Sequence, residues 1–81
     1  MSEQGADVKM KRMATTIAKY QFDNSSDYEN AKERINTEVG SSSHNGWDYD
    51  SSSYYIYIYD SCEKVSLIGQ ICRAHGGKPC N

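Results

Sequence analysis

The side chains best suited to soft metals are three cysteines and one histidine near the C-terminal end of the sequence. Cys72 and His75 are three residues apart, a spacing that places both on one face of a helix, and Cys80 follows. Cys62 is expected at the far end of the same helix, so the set matches no closed zinc pattern. The simpler interpretation is that Cys72 and His75 form the buried side of that helix. The sequence predicts neither a metal site nor a cofactor.

Oxygen ligands and catalytic groups are equally sparse. Asp48 and Asp50 form an Asp-x-Asp pair, which suits Mg²⁺ only where phosphate or further oxygen ligands complete the site. Acidic side chains on an exposed edge strand also discourage aggregation, and that interpretation is favoured here. His44 lies on a Ser/Asn/Gly loop without an evident partner, and no Ser/His/Asp or Cys/His set is readable. The chain is therefore not expected to be an enzyme.

Asp23 is a carboxylate whose position between a strand and a helix resembles that of an aspartate in a known group of proteins. It follows the first predicted strand, directly after Gln21 and Phe22. Ferredoxin-like proteins similar to Cas2 and to the virulence-associated D proteins carry an aspartate there, and some of them cleave nucleic acid. The resemblance implies, as an alternative, a small Cas2-like or antitoxin-like ribonuclease that uses Asp23. An aspartate between a strand and a helix is also a common turn residue.

The most informative stretch spans residues 54–59, where tyrosine and isoleucine alternate. Side chains alternate across a strand, so Tyr54, Ile56 and Ile58 share one face, which can be a core face, while Tyr55, Tyr57 and Tyr59 share the other. Phenol rings bury large area at low entropic cost and are frequent at binding surfaces. With the neighbouring strand and a lysine, the predicted binding residues are Tyr55, Tyr57, Tyr59, Trp47, Tyr49, Asp48, Asp50 and Lys19.

Five elements must position these side chains. The predicted order is a strand at 14–22, a helix at 26–39, strands at 47–50 and 53–59, and a helix at 61–75. Capping boxes at Ser26-x-x-Glu29 and Asp60-x-x-Glu63 are expected to start the helices. The order β-α-β-β-α predicts an α+β fold, a split-βαβ ferredoxin-like sheet that lacks its last strand. Both helices should cover one sheet face, with the first and third strands parallel neighbours.

Length, charge and cysteine number limit the setting. The 81 residues predict a flexible arm at 1–13, one domain at 14–77 and a tail at 78–81, with Met10 or Met13 as possible internal starts. No apolar run could span a bilayer, and three cysteines argue against a secreted disulfide framework, so a cytoplasmic protein with free thiols is expected. Residues 21–63 carry nine acidic residues against Lys32 and Arg34.

These features predict a non-enzymatic, protein-binding inhibitor. Its acidic, tyrosine-rich sheet face would occupy the basic, nucleic-acid-binding surface of a larger protein. The profile is similar in character to phage-encoded inhibitors such as anti-CRISPR proteins and DNA mimics. A homodimeric structural module or an RNA-binding module remains an alternative, although direct nucleic-acid binding is disfavoured because phosphate contacts need basic surroundings. The small core inventory also favours self-association or a bound partner.

Overall fold

The computed structural model describes residues 15–80. The predicted arm at 1–13, with its basic residues and internal methionines, lies outside the described residues. The elements in chain order are strand β1 (Thr16–Gln21), helix α1 (Ser25–Glu38), a 3-10 turn (Ser42–His44), strands β2 (Trp47–Asp50) and β3 (Tyr55–Tyr59), helix α2 (Val65–Ala74) and strand β4 (Lys78–Pro79). The predicted α+β fold with two helices is confirmed.

The four strands form one antiparallel sheet in the order β2-β3-β1-β4. The expected parallel pairing of the first and third strands is wrong. Helix α1 carries the chain from β1 to a β2 that runs in the same direction. The hairpin at 51–54 then reverses β3, so β3 lies between them antiparallel to both. The prediction of a missing last strand is also wrong, because Lys78 and Pro79 pair with Gln21 and Tyr20.

The cap of helix α1 lies two residues before the predicted cap at Ser26. Asn24 is the cap: its Oδ1 accepts a hydrogen bond from the backbone N–H of Asp27 at 2.8 Å, and its Nδ2 donates to the Asp27 carboxylate at 3.2 Å. The box at Ser26 is therefore wrong, because Asn24 satisfies the free backbone donor first. The helix ends at Val39 and Gly40, whose φ of +123° suits glycine.

Helix α2 begins later than predicted, at Val65 rather than 61, and its cap residue Lys64 makes no side-chain capping hydrogen bond. The predicted box at Asp60 and Glu63 is wrong. The chain first makes a tight turn, in which the backbone N–H of Cys62 donates to the Tyr59 carbonyl at 3.0 Å. Cys62 therefore lies before the helix, not on it. No helix in the described range is long and apolar enough to cross a membrane.

The core lies between the two helices and one face of the sheet. Its buried residues are Tyr20, Phe22, Tyr28, Ala31, Ile35, Trp47, Ile56, Ile58, Cys62, Ile68, Ile71 and Cys72. Tyr28, Ala31 and Ile35 recur at three- and four-residue spacing and form the buried stripe of α1, and Ile68, Ile71 and Cys72 form that of α2. Trp47, which is 0% exposed, joins them and donates from Nε1 to the Gly40 carbonyl at 2.9 Å.

The thiol of Cys72 makes the fold sensitive to alkaline pH. Burial raises the pKa of Cys72 from 9.0 to about 12, so the folded chain keeps a proton that the unfolded chain loses. Stability from this group is complete below pH 9 and is lost as pH rises toward 12, by at most about 1.4 kcal/mol per pH unit. Urea unfolding under reducing conditions from pH 8 to 11 should show this decline.

The matched variants for that measurement are Cys72→Ala and Cys80→Ala. Cys72→Ala should be less stable at pH 8 but should lose stability more slowly as pH rises, because the buried thiol is gone. Cys80→Ala removes a thiol outside the core and is the control for the loss of a cysteine as such. Identical slopes in wild type and Cys72→Ala would contradict the assignment.

Candidate functional site

The sheet side turned away from both helices carries the candidate site, here called the open face. Exposure alternates along β3: Ile56 and Ile58 are 0% exposed toward the core, while the three tyrosines between and beside them are half-buried on the other side. Residues directly opposite in an antiparallel pair point to the same side. The register then defines the open face as Thr16, Lys19, Gln21, Asp48, Asp50, Tyr55, Tyr57, Tyr59 and Lys78.

The open face is organised in rows that cross the strands. One row runs from Asp50 through Tyr55 and Gln21 to Lys78. The next row runs from Asp48 through Tyr57 to Lys19. Adjacent strands are about 4.8 Å apart, so each row brings a carboxylate, a phenol and an amine onto one short line. The composition of the face therefore changes steadily from acidic at β2 to basic at β1 and β4.

A pair of tyrosine rings forms the centre of the open face. The rings of Tyr55 and Tyr57 lie 5.9 Å apart between centroids and are tilted by 38°. The Lys19 ammonium lies 4.4 Å from the Tyr55 centroid and 5.9 Å from that of Tyr57. Both distances are within the range of a cation–π interaction. The ring pair is thus a place that already accommodates one positive charge, supplied by the chain itself.

The two carboxylates at the β2 edge lack cationic partners in the described part of the chain. Asp50 Oδ1 accepts hydrogen bonds from the backbone N–H of Ser52 at 3.0 Å and from its hydroxyl at 2.7 Å. These bonds, the hydroxyl first, lower the pKa of Asp50. Asp48 accepts from the backbone N–H of Tyr49 at 2.8 Å. Within residues 15–80, the face therefore presents two carboxylates whose charges no ion pair neutralises.

Tyr59 extends the tyrosine row toward the end of β3. Its pKa is raised, first by burial and then by the charge of the nearby Asp48 carboxylate. The phenol therefore stays protonated near neutral pH, as a hydrogen-bond donor rather than a nucleophile.

The structure separates the predicted site residues into two groups. Six of the eight predicted binding residues lie together on the open face: Lys19, Asp48, Asp50, Tyr55, Tyr57 and Tyr59. Trp47 does not belong to it: alternation along β2 turns it to the opposite side, into the core.

Tyr49 follows Trp47 to that opposite side. It is 41% exposed at the sheet edge, where the Lys32 ammonium lies 4.2 Å from its ring centroid. All four residues of β2 cannot share one face of a strand. Trp47 and Tyr49 therefore lie on the side of β2 opposite to Asp48 and Asp50, away from the open face.

One end of the open face is bordered by a shallow groove at an irregularity of β1. The register with β3 shifts between Thr16 and Ala18, which leaves Ile17 without a direct partner and 51% exposed. A bulge of this kind re-aims the extra side chain. Lys19 and Tyr57 complete the lining of the groove.

Gln21, Thr16 and Lys78 are open-face residues that the predicted site omitted. Alternation along β1 places Gln21 on the same face as Lys19, so the position of Gln21 could be predicted from the sequence. Lys78 joins the face only because β4 pairs with β1. A strand of two residues is too short to show a periodic pattern, so the sequence does not predict β4.

The other candidate side chains lie away from the open face. Asp23 is exposed and its carboxylate lies 3.4 Å from the Lys78 ammonium. Cys62, Cys72 and Cys80 are unpaired thiols. Within residues 15–80 no three His, Cys, Asp or Glu side chains are grouped closely enough to hold a metal ion. His44 lines a polar pocket with Glu63 and Lys64.

The acidic residues of helix α1 lie on the far side of the molecule from the open face. Two of them are paired along the helix: Glu29 with Lys32 at 3.4 Å, and Glu38 with Arg34 at 2.7 Å. Much of the acidic charge of residues 21–63 is thus distributed over the helical layer. Asp48 and Asp50 supply the part that faces outward from the sheet.

The open face brings together three chemical features. It combines aromatic area, a cation site on two rings and two carboxylates without an ion-pair partner in residues 15–80, which together suit a surface that carries guanidinium or ammonium groups. No protein-family model matches the chain, and neither the curated proteins nor the solved structures contain a significant match.

Proposed function

We propose that this protein is a non-enzymatic binding protein whose open face occupies a basic surface of a larger protein and so inhibits it. The observation that carries the proposal is the row of half-buried tyrosines on β3 beside Asp48 and Asp50. Neither carboxylate has an ion-pair partner in the range 15–80. Basic protein surfaces commonly bind nucleic acid, and a protein that covers one prevents that binding.

The side-chain chemistry of the open face supports a cationic partner. Arginine pairs with carboxylates through two parallel hydrogen bonds and stacks on aromatic rings. Lys19, 4.4 Å from the Tyr55 ring, shows how a positive charge is placed there. One guanidinium of the partner would take a similar position over the Tyr57 ring. A second cationic group of the partner, beside the first, would pair with the Asp48 carboxylate.

The strand order β2-β3-β1-β4 also supports a ferredoxin-like arrangement, which we include in the proposal. In such a sheet β4 is the last strand, reduced here to Lys78 and Pro79. Its shortness leaves the start of β1 uncovered at one edge.

A nuclease that uses Asp23 remains the alternative from another functional class. Asp23 is exposed and paired with Lys78, and in the described residues it belongs to no group of three or more His, Cys, Asp or Glu side chains that could hold a metal ion. A nuclease assay of wild type and Asp23→Ala tests it directly: metal-dependent cleavage that Asp23→Ala abolishes would replace the binding proposal.

The binding surface can be mapped with an oligo-arginine peptide as a defined cationic probe. In an NMR titration, amide shifts should concentrate in β2 and β3, and an oligo-glutamate peptide should leave them unchanged. Tyr57→Ala should weaken binding about fivefold or more while the spectrum stays that of a folded protein, because this ring packs outside the core. Glu33→Gln, on the exposed side of α1, is the matched control and should bind like wild type.

Two results would contradict this proposal. Shifts centred on α1 rather than on the strands would show that the helical acids are the binding surface. Unfolding of Tyr57→Ala would show that the tyrosine row is core. The inhibitory part is tested by capture of a partner from the native host, followed by competition: excess nucleic acid should displace the partner from wild-type protein.

A further inference from the structure

The open face is electrically polar across its width. Asp48 and Asp50 lie on β2, the tyrosines on β3, Lys19 on β1 and Lys78 on β4. Lys78 is 72% exposed at its side chain, so its loose pairing with Asp23 at 3.4 Å leaves it available for another contact. A surface that is acidic at one edge and basic at the other is complementary to a second copy of itself whose two edges are exchanged by rotation.

The register shows which symmetry achieves that complementarity. A two-fold axis parallel to the strands, between β3 and β1, exchanges the two edges and keeps each row on its own level. In the first row Asp50 of one copy then faces Lys78 of the other. In the second row Tyr57 of one copy faces Lys19 of the other, continuing the cation–π contact that each copy already contains.

The alternative two-fold axis, perpendicular to the strands in the plane of contact, gives the opposite result. It places β2 over β2, so that Asp48 and Asp50 of both copies meet as like charges. Only the first axis also keeps the strands of the two sheets aligned with opposite charges in register, the usual geometry of stacked sheets.

We propose that two copies of this chain pack open face to open face about the axis parallel to their strands. The contact is small: four strands about 4.8 Å apart and about 17 Å long present roughly 300 Å² of flat sheet per copy. Stable interfaces bury at least about 1,200 Å² in total, so the dimer is weak and reversible. It does not depend on the proposed partner, with which it would compete for the same face.

The experiment uses complementary charge reversals in purified protein. One variant carries Asp48→Lys and Asp50→Lys, and the other carries Lys19→Glu and Lys78→Glu. Sedimentation at low salt should show that wild type self-associates and that salt reverses the association. Each variant alone should associate at least about tenfold more weakly, because like charges then face each other across the axis. An equimolar mixture of the two should restore a complex of two chains.

The control is Glu33→Lys, a charge reversal on the helical side, which should associate like wild type. Circular dichroism establishes that each variant is folded; if a double variant is not, the single substitutions Asp50→Lys and Lys78→Glu serve instead. A wild type that is monomeric at low salt and millimolar concentration overturns the inference, as does undiminished association of either variant alone. Failure to recover a complex in the mixture also overturns it. The oligo-arginine titration tests the proposed function and does not depend on the outcome of this experiment.

Discussion

Trp47→Ala is expected to lower the free energy of unfolding by about 3–5 kcal/mol, the usual cost of removing a large buried aromatic side chain. Trp47 is 0% exposed between the sheet and the helices, and its Nε1 donates to the Gly40 carbonyl at the end of α1. The substitution leaves both a cavity and an unsatisfied carbonyl. For a domain of this size that loss is a large share of the total stability.

Urea unfolding followed by circular dichroism is the appropriate measurement, since Trp47 is the only tryptophan and its fluorescence disappears with the substitution. Tyr49→Ala is the matched control, on the same strand and the same side but 41% exposed. It should cost no more than about 1 kcal/mol. A stable Trp47→Ala protein that has lost only its binding would return Trp47 to the site.

Gly46→Ala is the second substitution with a large expected effect. Gly46 has a φ of +77°, and an added Cβ would lie 2.5 Å from the Cys62 Cα and 2.6 Å from its backbone nitrogen. Backbone atoms cannot move aside as a flexible side chain can. The combined penalty of the left-handed conformation and the clash is about 2–4 kcal/mol, which urea unfolding will measure.

Gly76→Ala separates the two contributions. Its φ of +89° is equally unfavourable for alanine, but the nearest atom to the added Cβ is the end of the Asp27 side chain, at 3.4 Å. It should therefore lose about 1 kcal/mol, from backbone conformation alone. Equal losses in the two variants would mean that the chain relaxes around Gly46 and that the close approach to Cys62 costs nothing.

The strands and the helical stripes were predictable because each has a clear period. Alternation of tyrosine and isoleucine defines β3 and the identity of its two faces. Alternation in Trp47–Asp50 defines β2 in the same way, and it also determines that Trp47 and Asp48 point to opposite sides. Alternation alone does not determine which side of β2 faces the helices. The pairing of Trp47 with Ile58 and of Asp48 with Tyr57 decides that.

The ends of the elements were less predictable because several residues compete for the same role. Asn24, Ser25 and Ser26 are all good helix caps, and only the hydrogen bonds of Asn24 distinguish them. Before α2, the turn at Cys62 buries that side chain and delays the helix to Val65. A local hydrogen bond decides the start of α1, and tertiary packing decides the start of α2.

Strand β4 was not predictable for a different reason. Two residues cannot show a period, and proline usually argues against a strand except at an edge. Pro79 lies at that edge, paired only with Tyr20. The consequence for the site was the omission of Lys78 and therefore of the basic edge of the open face.

The central position of β3 has a consequence for the entropy of binding. The segment from Tyr55 to Tyr57 is paired with β1 on one side and with β2 on the other. Strands held on both sides are the last to open in local fluctuations, while short edge strands such as β4 open readily. The rings are thus presented from a preorganised backbone, and a ligand of this surface has little main-chain freedom left to immobilise.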